Sequence, residues 1–187
     1  MSSYLVPWSG GLDSTALILR LVNEGHRVEA LYTNLNNSAQ DARQLKAVQR
    51  MHKLYFHKHH VDLNIVEGCS AGVAGGNPIL LQQIVYHMFN IIRFVSYHEY
   101  VAMGFVMNDD AISFLDDIKT IYNSYNVISN KPLPELVFPL VKVKKHMLYS
   151  ELPDQLRKYI TWCENDGKDK CGVCPSCKRM SEVIQFS

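Results

Sequence analysis

Residues 4–25 read YLVPWSGGLDSTALILRLVNEG. The apolar run Tyr4 to Trp8 is short and is bounded by a glycine pair, the pattern of a buried strand. Beyond the pair, Ala16, Leu17, Leu19, Leu21 and Val22 suit a helix, and the run stops near Gly25, where glycine favours helix termination. A strand, a tight turn and a helix in immediate succession form the first half of a βαβ unit.

The same alternation continues outward. HRVEALYT (His26 to Thr33) has the composition of a second strand, and SAQDARQLKAVQRMHKLY (Ser38 to Tyr55) that of a second helix opened by a serine cap. HKHHVDLNIV supplies a third strand. From Asn77 a long apolar pattern places Pro78 in the first turn of a helix and leads into EYVAMGF, a fourth strand; LVFPLV near Val137 supplies a fifth. The expected architecture is therefore α/β: a five-stranded parallel sheet with helices on both faces. No linker divides the chain, so residues 1–187 are expected to form one domain. The glycine-dense loop Glu67 to Pro78 fits either a flap over a site or a plain surface loop.

Size and charge narrow the function. A chain of 187 residues buries about 70% of its unfolded surface and can hold a pocket unaided. Its 19 Lys plus Arg nearly balance 18 Asp plus Glu, which disfavours a stable nucleic-acid partner. No stretch has the roughly 20 apolar residues of a membrane helix and no secretory pattern opens the chain, so a cytoplasmic protein without a membrane partner is expected. The apolar helix Ile79 to Phe94 offers surface for a homodimer.

The turn between the first strand and helix carries Ser9, Gly10, Gly11, Leu12, Asp13, Ser14 and Thr15. Glycines let backbone N–H groups approach an oxyanion, hydroxyls add donors, and a helix N-terminus adds partial positive charge. Asp13 would repel phosphate unless it holds Mg²⁺ or caps backbone donors. Taken as composition alone, a plain helix start accounts for these residues. The ordered string after a strand is more specific, and it resembles the pyrophosphate loop of the PP-loop ATP pyrophosphatases, which implies an adenine nucleotide alpha hydrolase-like fold and ATP as substrate.

Four of the five cysteines crowd the other end of the sequence, in CENDGKDKCGVCPSC, with spacing Cys-x7-Cys-x2-Cys-x2-Cys. Cys163, Cys171, Cys174 and Cys177 would give Zn²⁺ four thiolates and no open position, a folding role, making residues 160–187 a small zinc-binding knuckle. A redox dithiol is the competing reading. His57, His59 and His60 are set aside as ligands, because a strand would split His59 from His60 across its faces.

Loop and knuckle together resemble the 7-cyano-7-deazaguanine synthase family, and three further segments match in order. FPLVKVKKHML resembles its Pro-Leu-x4-Lys segment, placing Lys145 at the lysine; ITWCENDGKDKCGVCPSCKRM resembles its cysteine-rich ending; MGFVMND resembles its Gly-x4-Asp strand end. AGGN keeps the family's Asn, here Asn77, but has Gly76 where the family has Arg; SFLDDIK stands for its substrate segment without a cysteine. The resemblance implies that ATP, Mg²⁺ and ammonia convert 7-carboxy-7-deazaguanine to the nitrile through adenylated acid and amide. It implies catalytic Asp13 and Lys145, nucleotide contacts from Ser9 to Thr15 and Asn77, and a deazaguanine-binding edge drawn from Asp109, Asp110, Asp116 and Asp117; an exposed acidic loop is the equal alternative for these aspartates. Release of the amide, or a non-catalytic nucleotide-binding module on the same fold, are the alternatives; sulfur transfer to tRNA is disfavoured, because the four paired cysteines are committed to zinc.

Overall fold

The computed structural model describes residues 1–34, 39–67, 88–95, 97–129, 131–165 and 170–187. Five strands, β1 (Ser3–Pro7), β2 (Arg27–Asn34), β3 (Asp62–Glu67), β4 (Tyr100–Ala102) and β5 (Glu135–Val137), form one sheet in the order β3-β2-β1-β4-β5. Every pairing is parallel, with Leu5 opposite Glu29 on one side and opposite Val101 on the other. The helices are α1 (Leu12–Asn23), α2 (Ala39–Leu54), the helical residues 88–94 (α3), α4 (Leu115–Ile128), α5 (Lys145–Glu151), α6 (Asp154–Arg157) and α7 (Pro175–Gln185). Among the described residues no helix is long and apolar enough to cross a membrane.

Strand side chains alternate between two cores. Val6, Val28, Ala30, Tyr32 and Ala102 face a core shared with α1, α2, Leu148 of α5, Leu156 of α6, and Met180 and Val183 of α7. Leu5, Leu31, Val101 and Leu136 face the opposite core, with Met88 and Ile91 of α3 and Ile118 and Tyr122 of α4. Helices therefore cover both faces, as the continuous apolar character of the strands requires in a parallel sheet. The C-terminal helix is part of the first core through Met180 and Val183.

Three expectations are changed or left outside the described residues. The third strand begins only at Asp62: Phe56–His59 is a 3₁₀ turn closed by His60 in the left-handed conformation (φ 56°), so the histidines are not on a strand at all. Ser38, the expected cap of α2, and Asn77 to Pro78 lie outside the described residues. Of the helix expected over Ile79 to Phe94, only 88–94 is described; there Met88 and Ile91 are buried in this chain's own core while Phe89 is exposed.

One polar group sits inside the second core's side of the sheet. Glu29 of β2 is buried and accepts from Asn64 Nδ2, from Tyr97 Oη at 2.6 Å and from His98 Nε2 at 3.1 Å. Three donors converge on one carboxylate, which offsets its desolvation. Glu29→Ala strands the buried His98, while the exposed Asn64 and Tyr97 turn to water, and urea unfolding is expected to show a loss of about 1–2 kcal/mol; a change smaller than about 0.5 kcal/mol would mean that the network contributes nothing net.

Candidate active site

In a parallel sheet all carboxyl ends lie at one edge, and a crevice opens where consecutive connections diverge to either side. Here that point lies between β1 and β4, since β2 and β3 extend one way and β4 and β5 the other. The turn after β1 fills it.

Gly10 takes a left-handed conformation (φ 75°), which a side chain rarely adopts. A Cβ there would also meet Val48 Cγ2 at 3.2 Å and the Gln44 carbonyl at 3.4 Å. Its carbonyl accepts from Thr161 N at 2.9 Å, tying the turn to the segment leading into Cys163. Ser9 and Ser14 are linked at 3.2 Å between their hydroxyls, and Ser9 Oγ also accepts from Gly11 N at 3.3 Å. Thr15 is buried and its hydroxyl accepts from Trp8 Nε1 at 2.9 Å, so it holds the helix to the strand. Leu12 is buried in the first core. The N-cap of α1 is Gly11, with no side-chain cap, which leaves the helix start open toward an anion.

Asp13 in the first turn of α1 meets Lys145 at the start of α5: Nζ donates to Oδ2 at 2.7 Å, across 132 residues of sequence (145 − 13). The helices are joined a second time where Arg20 makes a two-pronged pair with Glu151, at 2.8 and 2.6 Å. Two contacts in the same order along both helices align them in parallel and fix Lys145 over Asp13. The other carboxylate oxygen, Asp13 Oδ1, is buried and has no hydrogen-bond partner among the described residues. Burial pushes the Asp13 carboxyl above its ordinary range; Lys145 pulls it down, Asp109 pushes it up and Arg179 pulls it down. Burial prevails, so charge on this carboxylate is held at a cost.

Gly104, two residues beyond β4, explains how the site closes. A Cβ on it would stand 3.1 Å from Asp13 C and from Ser14 N, so a side chain there would push the end of β4 a few tenths of an ångström from the start of α1. The chain then turns through Asn108 (φ 69°) to Asp109, whose Oδ1 accepts from Ala111 N at 3.1 Å and caps the 3₁₀ turn Asp110–Phe114. Asp110 pairs with Arg179 Nη1 of α7 at 3.7 Å. Asp109 and Asp110 therefore stand by the crevice. Asp116 and Asp117 are exposed in the first turn of α4, where acidic side chains complement the helix dipole. Asn77 lies outside the described residues.

Two residues were not singled out from the sequence. Arg179 sits in an ordinary basic pair with Lys178, and only α7's packing brings it to Asp110. Gly104 was visible in MGFVMND, but its reason, the close approach of α1, is tertiary.

The cysteines converge as their spacing predicts. All four sulfurs lie within 4.8 Å of one another, and Cys171 and Cys177 are 3.9 Å apart. Four bonds of about 2.3 Å to one tetrahedral ion would set sulfurs about 3.8 Å apart, so the donor set fits a single metal ion. Cys174 N approaches Cys171 Sγ at 3.3 Å and Cys177 N approaches Cys174 Sγ at 3.4 Å. The N–H groups of Val173 and Cys174 draw the Cys171 thiol down to about 6. No other group of metal-ligating side chains forms among the described residues, the histidines included.

With this geometry in place, the likeness to solved structures is informative. The U34-tRNA thiolase NcsA from Methanococcus maripaludis, with its [4Fe-4S] cluster, superposes with a TM-score of 0.57 at 15% identity over 99% of this chain and 65% of its own. A 4-thiouridine synthetase in complex with RNA and bound ATP gives 0.59 at 13% identity over 99% of this chain and 50% of its own. The NMN synthetase of Francisella tularensis gives 0.50 at 16% identity over 84% of this chain and 60% of its own. The chain shares the fold of these enzymes, a parallel five-stranded sheet covered by helices. No family model and no curated protein matches the sequence. The chain thus spans less than two thirds of the length of each of these three neighbours.

Because the folded protein raises the Asp13 carboxyl, folding favours its protonated form. The stability this confers is full below the unfolded carboxyl's range and is lost as pH rises through the raised folded value. Asp13→Asn is therefore expected to unfold at a higher temperature than the parent at about pH 7, with the advantage shrinking toward about pH 4. Thermal unfolding at the two pH values checks this, and an equal or lower melting temperature at neutral pH would show that the Lys145 pair outweighs burial.

Proposed function

We propose that the chain is an ATP-dependent enzyme that activates a carboxylic acid by adenylation, and that the acid is 7-carboxy-7-deazaguanine, taken with ammonia to 7-cyano-7-deazaguanine. The observation that carries the reading is the open start of α1 at the sheet's switch point, with Asp13 held 2.7 Å from Lys145 beside it. The fold shared with a synthetase that binds ATP supports ATP use. The choice of acid rests on the sequence resemblance and on the carboxylates Asp109 and Asp110 at the crevice, each able to accept from an N–H edge.

A carboxylate oxygen of the substrate attacks the α-phosphorus of ATP, the bond from that phosphorus to the bridging oxygen breaks, and pyrophosphate leaves. Ammonia then adds to the acyl carbon and loses a proton as AMP departs, giving the amide. A second ATP adenylates the amide oxygen; loss of AMP and the remaining N–H protons leaves the nitrile. The turn Ser9 to Ser14 positions the departing pyrophosphate through backbone N–H groups and the helix dipole, and Lys145 supplies positive charge where negative charge grows. Mg²⁺ on the phosphates would neutralise their charge, and Asp13 Oδ1, buried and otherwise unpartnered, is the atom suited to hold it. The four cysteines hold Zn²⁺ for folding: their sulfurs converge on one point and leave no open coordination position.

Two measurements test this. Pyrophosphate release should require the deazaguanine acid and fall by about 10³-fold or more in Asp13→Ala and about 10²-fold or more in Lys145→Met. Product mass then identifies nitrile; accumulation of amide alone in excess ATP would assign the shorter reaction, and no acid-dependent pyrophosphate in the parent would leave a non-catalytic module. Separately, metal analysis should find one zinc per chain. Cys177→Ser should lose it and unfold at a lower temperature, whereas a parent free of zinc with unchanged stability after chelation would overturn the structural role.

A further inference from the structure

A groove of about 160 Å³ runs behind the turn that follows β1, between α2 and residues 158–163. Its described lining includes five cations, Arg43, Lys46, Arg50, Lys158 and Lys170, and no carboxylate. For a chain whose formal net charge is +1, this is a marked separation of charge in space. Arg43, Lys46 and Arg50 fall at i, i+3 and i+7, a single stripe along α2. Lys46, Arg50, Lys158 and Lys170 are exposed, while Arg43 is anchored by donating to the Asn165 carbonyl at 2.5 Å.

One aromatic ring, Tyr159, lines the groove, and a second, Trp162, stands beside the lining cation Lys170. The Arg50 guanidinium lies 5.8 Å from the centre of the Tyr159 ring, and Lys170 Nζ lies 4.4 Å from that of Trp162. The groove also backs directly onto the nucleotide turn, because Gln44 and Thr161 of its lining are the residues packed around Gly10.

We infer that this groove seats the phosphodiester backbone of a nucleic-acid strand. The stripe from Arg43 to Arg50 is about 10 Å long, against a phosphate spacing of about 3.4 Å along one strand of a duplex, so several phosphates meet it at once. Cations in a row with aromatic faces beside them are what a strand needs: charges for the backbone and rings for bases. A small anion would use one or two of the cations, and a protein partner of this charge would require a matching acidic face without stacking groups. Net charge conceals such a site, because it averages the stripe with carboxylates elsewhere on the chain.

This binding needs neither ATP nor turnover, so it can fail or succeed independently of the adenylation reading. The probe is a fluorescein-labelled oligoribonucleotide of mixed sequence, followed by anisotropy over a salt series with the full chain. The parent is expected to bind with an affinity that falls steeply with salt. Lys46→Ala combined with Arg50→Ala should weaken binding at least about 10-fold and reduce the salt slope by about 1.4, roughly 0.7 for each lost contact to a single strand. Lys119→Ala, a cation on α4 over Phe138 on the opposite face, should leave both values unchanged. Labelled ATP is titrated into the same proteins, and its affinity should not change in the double variant. Absence of oligonucleotide binding by the parent, equal loss in Lys119→Ala, or loss of ATP affinity in the double variant with displacement of the oligonucleotide by ATP would each overturn the inference; the last would assign the groove to the nucleotide's own phosphates.

Discussion

The site depends on a constraint of direction. Every strand of the sheet is parallel to its neighbours, so the segments leaving β1, β4 and β5 all emerge at the same edge. From β1 comes the glycine turn with Asp13, from β4 Gly104 and Asp109, and from beyond β5 Lys145. Residues more than a hundred positions apart meet because the hydrogen-bond ladder permits no other arrangement of ends. An antiparallel β4 would have put Gly104 at the opposite edge from α1.

Having met, these segments are held by contacts of different strength. The Gly104 approach is steric and leaves a side chain little room, whereas Asp13 and Lys145 attract one another against the desolvation of a largely buried carboxylate. The second pair, Arg20 with Glu151, is more exposed; there the guanidinium holds the Glu151 carboxyl below its ordinary range, and the pair sets how α5 lies along α1. Asp13 is a costly residue for the fold and a useful one for a phosphate site, where an unpartnered oxygen beside an open helix start can meet a cation.

The cysteine cluster is structurally continuous with this region. Cys177 lies on α7, the same helix that buries Met180 and Val183 in the first core and carries Arg179 to Asp110. At the other end of the cluster Thr161, two residues before Cys163, donates its N–H to Gly10. A metal ion that gathers the four sulfurs would therefore brace the turn from behind and the acidic side of the crevice from α7.

Much of this was legible in the chain itself, because periodicity and turn chemistry are local. The strand, glycine turn and helix over residues 4–25, the five parallel strands of the described residues, and the convergence of four cysteines stood as the residue pattern implied. The pattern was less reliable where side-chain type is shared between structures. The histidine-rich stretch before Asp62 was taken for strand, yet it closes as a 3₁₀ turn because Phe56 is buried against Trp8 and the chain must reverse there before β3. Asp109 and Asp110 could not be separated from Asp116 and Asp117 by composition, since both pairs open a helical turn; only the end of β4 brings the first pair to the crevice. The sequence by itself determined the order of strands and helices around the glycine turn, where that turn lies and which thiols gather, since each is encoded within a few neighbouring residues. Only the tertiary structure decided that Lys145 pairs with Asp13, that Gly104 is pressed against the start of α1, and that Arg179 and the cations of α2 face where they do, because these depend on which distant elements the parallel sheet brings side by side.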